Sequence, residues 1–214
     1  MKLPFSHAEF LDVFGAYNAA LWPAGAVLWI VTALLFFKWM WARQADSRAV
    51  AVLLAIHWAW SGLAYQWAFF RSINPAAGLF AGLFVVQAVF FAWLALAPER
   101  VRFTLARSLR GSLAVALVAY ALAYPFVGLA FGLRYPRMPT FGVPCPTTIL
   151  TAGLLLVASG APRVINIIPI VWSVIGGSAA FILGIRADLA LIVAGALLAL
   201  QTAVPRILGP NSAA

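Results

Sequence analysis

The sequence predicts an all-α integral membrane protein with seven transmembrane helices, and three observations lead to this fold class. Hydrophobic residues make up 65% of the 214 residues, charged residues only 9%, and the mean hydropathy is +1.01. A water-facing surface needs far more charge than this. The apolar runs are long and unbroken, and about 20 such residues cross ~30 Å of hydrocarbon as a helix, which disfavours the alternating strands of a membrane barrel.

Seven apolar runs define the predicted spans of a single transmembrane domain, residues 1–214. They are Trp22–Phe37, Ala49–Phe70, Ala76–Ala97, Ser112–Phe131, Thr147–Ser159, Val164–Ile185 and Ala187–Val204. The fifth is short, since its roughly 15 residues reach about 22 Å as a helix, less than the hydrocarbon thickness. We therefore expect the preceding loop, residues 133–149, to dip toward the membrane, where protein or water must cover its backbone polar groups.

A short amphipathic helix is predicted before the first span, over residues 6–20. Ser6 and Glu9 have the spacing of a capping box, and the phenylalanines on either side have that of a hydrophobic staple. Further aromatic and apolar residues recur three and four positions apart on one face. This pattern is typical of a helix that lies in the membrane interface, and the Trp-Pro pair at 22–23 is expected to turn the chain into the first span.

Lysine and arginine residues are shared unevenly between the two sides of this topology. One side carries Lys38, Arg43, Arg48, Arg100, Arg102, Arg107, Arg110, Arg163 and Arg206. The other carries Lys2, Arg71, Arg134, Arg137 and Arg186. Because positive residues are favoured in cytoplasmic loops, we expect the richer side to be cytoplasmic, with the N-terminus outside and the C-terminus inside. We therefore attribute the net charge of +9 to the orientation of the protein in the membrane and not to nucleic-acid binding.

The predicted outer side holds the most unusual stretch of the chain, Leu133–Ile149, with the sequence LRYPRMPTFGVPCPTTI. Its Cys145 is the single cysteine of the chain, which excludes an internal disulfide. Two flanking prolines fix the backbone of Cys145 at the start of the fifth span. A helix N-terminus there favours an anion or a thiolate; the alternative is that the motif only begins a helix, with the cysteine as a small apolar residue.

An outward-facing cavity is predicted beneath this loop. Its candidate ligand-binding residues are Tyr65, Gln66, Asn74, Arg134, Cys145, Thr147, Arg186 and Asp188. Arg186 or Arg134 is expected to pair with Asp188, because a lone charge near lipid is costly. The alternative is that the two arginines bind an anionic ligand.

Three residues are weak candidates for a metal site, namely His57, Met138 and Cys145, because imidazole, thioether and thiol groups suit Cu(I) or Hg(II). Spacing opposes this site, since His57 lies inside the second span and is expected more than about 15 Å from the outer loop. The alternative role of His57 is a hydrogen bond to a neighbouring helix. We predict no resident metal and no cofactor.

Several motifs are spread along nearly the whole chain. They are Tyr17-Asn18 with Trp22-Pro23, Ile73–Ala77, Arg134–Pro136, Met138–Gly142, Pro144–Thr148 and Gly176–Phe181. Together they resemble a family of bacterial multi-pass membrane proteins that is known only as a domain of unknown function, with the proline-rich stretch as the most specific part. The resemblance implies a bacterial inner-membrane protein without an assigned activity, and it adds nothing on the substrate.

Three functions are compatible with the sequence. The first is binding or transport of a small molecule or ion through an outward-facing cavity near the 133–149 loop. The second is a structural or assembly subunit of a larger membrane complex or a homo-oligomer, favoured by stripes of small residues that let helices approach closely. The third is a membrane enzyme that uses Cys145; it ranks last because no histidine or acidic residue lies nearby in sequence. All five acidic residues are expected in the terminal segment or in loops, which disfavours acid–base chemistry within the membrane.

Overall fold

The computed structural model describes residues 4–203, which contain seven α-helices. They are α1 His7–Ala42, α2 Ser47–Trp60, α3 Ala77–Leu96, α4 Leu109–Ala130, α5 Pro144–Leu156, α6 Ile167–Leu183 and α7 Ala190–Ala203. A π-helical turn, Ser61–Trp67, continues α2, and 3₁₀ turns occupy Phe70–Ser72, Pro98–Arg100, Arg163–Asn166 and Arg186–Leu189. Lys2, Val204 and Arg206, which enter the predictions above, lie outside the described residues.

Six helical segments of the described chain are long and apolar enough to cross a membrane. They are His7–Ala42, Ser47–Ser72, Ala77–Leu96, Leu109–Ala130, Arg163–Leu183 and Arg186–Ala203. The remaining helix, α5, has 13 residues and a length of about 20 Å. The all-helical class and the shortness of the fifth apolar helix are therefore confirmed, whereas six segments, not seven, have the length of a span.

The short helix α5 lies at the centre of the bundle. Twelve of its 13 residues are buried, and Cys145 is the half-buried exception. It packs against α4, α7, α6 and α2. Gly153 permits the close approach of α4, because a Cβ atom there would lie only 2.9 Å from the carbonyl oxygen of Ala114. A helix that its neighbours enclose in this way does not need to match the thickness of the bilayer.

The first helix differs from the prediction of a separate interfacial helix over residues 6–20. The predicted capping box is present, but the helix then runs without interruption to Ala42, with Pro23 inside it. A proline inside a helix removes one backbone hydrogen bond. Here the turns before Pro23 are held by tertiary packing, since Tyr17 and Asn18 are both 2% exposed. We conclude that packing of this face keeps the helix axis continuous.

The two ends of the bundle are built differently. The basic end comprises residues 43–46, 97–108 and 157–162, and there β1, Arg102–Phe103, pairs antiparallel with β2, Ala158–Ser159. A further bridge joins Gln44 to Thr104, so all three connections of this end are linked through the backbone. The opposite end, which we call the proline end, comprises residues 4–6, 68–76, 131–143 and 184–189.

Candidate functional site: a cavity at the proline end

The connection between α4 and α5, residues 131–143, enters the bundle as the sequence predicts. Met138, Phe141 and Val143 are at most 3% exposed. The ring of Phe141 lies edge-on to the imidazole of His57 in α2, with 5.0 Å between the ring centroids. The expected separation of His57 from this loop is therefore wrong, because the loop descends to the level of that residue.

The side-chain amide of Asn18 in α1 holds this loop in place. Its Nδ2 donates hydrogen bonds to the carbonyl oxygens of Pro136 at 2.7 Å and Met138 at 2.8 Å. Its Oδ1 accepts a hydrogen bond from the hydroxyl of Thr140 at 2.6 Å. Both ends of a buried amide are thus satisfied by the loop, which is what a buried polar side chain with a structural role requires.

A second set of contacts joins the loop to the end of α2. The Trp60 Nε1 donates to the hydroxyl of Tyr17 at 2.7 Å, and the Ser61 hydroxyl donates to the carbonyl of Gly142 at 2.7 Å. Ser61 Oγ also lies 3.0 Å from Thr147 Oγ1. Gly142 has a φ of +85°, a conformation that side chains rarely adopt. Thr147, a predicted site residue, is therefore used in attaching the loop and does not line the cavity described next.

A cavity of about 430 Å³ lies beside this loop, between the start of α1, the π-helical turn after α2, the start of α5, and α6. Five of the eight predicted site residues line it, namely Tyr65, Gln66, Asn74, Cys145 and Asp188. Thr147, Arg134 and Arg186 do not. The side chains of the two arginines are exposed at the surface of the proline end.

The π-helical turn Ser61–Trp67 brings two of these residues to the cavity. Tyr65 and Gln66 are neighbours in the chain, and both are nearly fully buried. The turn packs closely on α3, since a Cβ atom on Gly62 would lie 3.0 Å from the Cβ of Phe84. Single π-helical turns occur frequently at functional sites, where they change which side chains face a cavity.

Aromatic rings form much of the cavity wall. The ring of Tyr65 is stacked on that of Phe14, with centroids 5.3 Å apart, and on that of Phe70, with centroids 5.8 Å apart. On the other side, Phe80 meets Trp172 edge-on at 5.3 Å. Of these rings, only that of Tyr65 was predicted to line the cavity. For Phe14, the signal that could have indicated this role is the three- and four-residue spacing of aromatic residues in α1, which was interpreted as the apolar face of an interfacial helix.

The cavity reaches the surface of the protein at two places. Val174 and Ile182 of α6 line it and are 68% and 50% exposed, so one side of the cavity borders the outer face of α6. Pro4 and Ala76 line it at the proline end, where both are exposed. Along α6 the lining extends from Ile182 to Trp172, a distance of about 15 Å.

Several polar atoms at this cavity have no partner. Tyr65 Oη, Gln66 Nε2 and Oε1, and Trp172 Nε1 are buried and make no hydrogen bond to any described residue. A buried polar group without a partner costs about 1–3 kcal/mol. Such groups are uncommon in folded proteins and each requires an explanation. The three side chains that carry these atoms all line this one cavity.

The carboxyl group of Asp188 corrects one prediction. It lies in the connection between α6 and α7, as expected, but instead of pairing with Arg186 or Arg134 it is 4% exposed and accepts a hydrogen bond from Tyr124 of α4. The guanidinium of Arg186 instead lies over the ring of Phe131, at 5.9 Å from its centroid. Within residues 4–203, no lysine, arginine or histidine nitrogen comes within 4.0 Å of the Asp188 carboxylate. The reason is that the 3₁₀ turn before α7 packs on α4, which places one side chain inward and the other outward.

The three weak metal candidates have separate environments. His57 Nε2 is 2.9 Å from the hydroxyl of Thr32 in α1, the interhelical hydrogen bond that was predicted as its alternative role. Met138 is buried in the loop, and Cys145 lines the cavity. Over the described part of the chain, no group of three or more His, Cys, Asp or Glu side chains is placed to hold a metal ion.

The fold and the cavity define a class of helical protein in which six segments can cross a membrane and a seventh, shorter helix is enclosed beneath a buried loop. The chain belongs to a family of unknown function, DUF6064, whose model matches residues 7–213. The match covers nearly the whole chain, so the predicted membership of a family without an assigned function is confirmed. No curated protein and no solved structure matches this chain.

Proposed function

We propose that this protein binds a small, largely apolar molecule with one polar end in the cavity at the proline end. One observation carries the proposal: the unpartnered polar atoms of Tyr65, Gln66 and Trp172 belong to side chains that line one cavity. A ligand with complementary groups supplies the missing hydrogen bonds. The aromatic walls then take up its apolar part, as in most small-molecule sites.

The proposed route into the cavity is lateral, from the lipid. Val174 and Ile182 border the cavity on the outer face of α6, and α6 belongs to one of the six segments that fit a membrane span. An apolar molecule dissolved in the bilayer meets this opening without first entering water. In this proposal the proline end faces outward from a bacterial inner membrane, as the distribution of Lys and Arg predicts.

The structure of the basic end favours binding over transport as the function of this conformation. There the three connections are joined by β1, β2 and the Gln44–Thr104 bridge. The enclosed helix α5 separates this end from the cavity, and the residues of α5 beyond Cys145 are buried on all sides. Transport through the bundle therefore requires a second conformation, whereas binding requires only the present one.

The single cysteine provides a direct test, because Cys145 lines the cavity. In membranes, N-ethylmaleimide is expected to alkylate Cys145 of the wild-type protein. Ala179→Phe adds a ring to the cavity lining and is expected to slow this reaction. The matched control is Ala196→Phe, which adds the same ring in the groove between α6 and α7, outside the cavity, and leaves the rate unchanged.

The same variants test whether the cavity holds a molecule. Extraction and mass spectrometry of the purified full-length proteins are expected to identify a small molecule that is retained by the wild-type protein and by Ala196→Phe. Ala179→Phe is expected to have lost it, because the added ring occupies its place. Equal alkylation rates and identical extracts from all three proteins would contradict the proposal.

A further inference from the structure

We infer that the ligand of this cavity is an organic ammonium ion with an apolar body. The inference rests on the proposed binding function and adds the sign of the charge that the ligand carries. Two observations support it independently. A buried carboxyl group without a cationic partner among the described residues lies in the cavity wall, and aromatic rings line the same space.

The carboxyl group of Asp188 provides the charge. Its hydrogen bond from the Tyr124 hydroxyl satisfies one oxygen atom, Oδ1. Of the residues described, none supplies a positive nitrogen within 4.0 Å, and Arg186 on the same turn is directed at Phe131. A carboxylate that is removed from water without a counter-ion is strongly unfavourable. A cation in the cavity supplies that counter-ion, whereas an anion cannot.

The aromatic wall provides the second contribution. Phe14, Tyr65 and Phe70 form a nearly parallel series, with interplanar angles of 20° and 15° at Tyr65. The faces of aromatic rings carry negative electrostatic potential and attract cations, and in this series only the faces that are not stacked on a neighbouring ring are available for such a contact. Tyr65 and Asp188 both line the cavity, which places the rings and the carboxyl group in one site.

The remaining polar groups fit an ammonium head group. Gln66 Oε1 is an acceptor without a partner among the described residues, and its side chain lines the same cavity as Asp188, so it can accept an N–H from the ligand. The apolar lining along α6 extends far enough, about 15 Å, for the hydrocarbon part of such a ligand. The site therefore favours a lipophilic amine in its protonated form.

The experiment compares three probes that share a phenyl ring and a four-carbon chain. They are 4-phenylbutylammonium, 4-phenylbutanol and 4-phenylbutyrate, and they differ in the charge at one end. The full-length protein is placed in phosphatidylcholine nanodiscs, whose neutral surface does not concentrate the cation. Protection of Cys145 from N-ethylmaleimide is then measured against the concentration of each probe.

In the wild-type protein, the ammonium is expected to protect Cys145 at a concentration at least about tenfold lower than the alcohol, and the carboxylate is expected not to protect. Asp188→Asn keeps an oxygen that can accept from Tyr124 but removes the charge. This variant is expected to lose that advantage of the ammonium over the alcohol. The matched control is Asp12→Asn, the same substitution at an exposed carboxylate of α1 outside the cavity lining, which leaves all three probes unaffected.

Two other outcomes separate this inference from the proposed function. The charge assignment is overturned if the alcohol protects Cys145 as well as the ammonium does. It is also overturned if Asp188→Asn binds the ammonium and the alcohol with the same affinities as the wild-type protein. In either case, binding of a neutral molecule stands. If Cys145 is alkylated but none of the three probes protects it, both the charge assignment and the proposed binding function are overturned. Should Asp188→Asn fail to fold, the ranking of the three probes on the wild-type protein decides the question alone.

Discussion

Two regions of the proline end bury the same chemical group with opposite results. The amide of Asn18, 2% exposed, makes three hydrogen bonds to the loop between α4 and α5. The amide of Gln66, 1% exposed, has no partner for either its oxygen or its nitrogen within the described chain. Burial is the same, so burial does not distinguish the two roles. Hydrogen-bond satisfaction does, and it separates a loop that the protein completes by itself from a cavity that it leaves open.

The largest effect is expected for Gly142→Ala, which disturbs the satisfied region. A Cβ atom at this position would lie 3.0 Å from Trp60 Nε1 and 3.1 Å from the Tyr17 hydroxyl, and the residue would have to keep a φ of +85°. Backbone strain and overpacking together are expected to lower the free energy of unfolding by about 3 kcal/mol. Chemical unfolding of the purified protein in detergent measures this loss.

The matched control for this substitution is Gly132→Ala. Gly132 has a φ of +89°, but nothing lies within 4 Å of the position its Cβ would take. It therefore isolates the backbone strain, which is expected to cost about 1 kcal/mol. Equal losses for the two variants would show that the packing of Gly142 against α1 and α2 contributes nothing.

The comparison itself is tested by replacing each amide with leucine. Asn18→Leu leaves the Met138 carbonyl oxygen and the Thr140 hydroxyl without the partner that Asn18 provides, whereas the Pro136 carbonyl keeps the backbone N–H of Met138. The substitution is expected to cost about 2 kcal/mol. Gln66→Leu removes an amide that has no partner, so its free energy of unfolding is expected to stay within about 1 kcal/mol of wild type or to rise. The same detergent unfolding assay, run without added ligand, ranks the two. If Gln66→Leu is as damaging as Asn18→Leu, the cavity amide has a structural role.

Sequence patterns predicted the positions of the helices well, but they predicted poorly how deeply individual residues are buried in the bundle. Apolar runs bounded by charges and prolines fix where a helix begins and ends, which is why α3, α4 and the short α5 lie close to their predicted positions. Apolar runs do not indicate which helix is enclosed by the others. The position of α5 at the centre of the bundle depends on close contacts such as that of Gly153 with α4.

Three predictions were wrong for the same reason. His57 was expected far from the loop, Asp188 was expected to pair with Arg186 or Arg134, and α1 was expected to turn at Pro23. In each case tertiary packing moved a segment inward: Phe141 reaches the imidazole, and the turn before α7 buries the carboxyl group behind Tyr124. Residue type and spacing do not indicate such displacements. They nevertheless indicated five residues of one cavity, because polar side chains near helix ends are uncommon in so apolar a chain.

The smallest effect is expected where the loop is held by charge at the surface. Arg137 Nε lies 2.7 Å from Asp12 Oδ1, but the two side chains are 52% and 62% exposed. Water screens an exposed ion pair, and ordering two long side chains offsets much of the attraction, so Asp12→Asn is expected to change the free energy of unfolding by no more than about 0.5 kcal/mol. A double-mutant cycle with Arg137→Gln separates the ion pair from the packing of the Arg137 side chain on Gly15. A coupling energy above about 1 kcal/mol would mean that this surface contact holds the loop as firmly as one of the buried hydrogen bonds of Asn18.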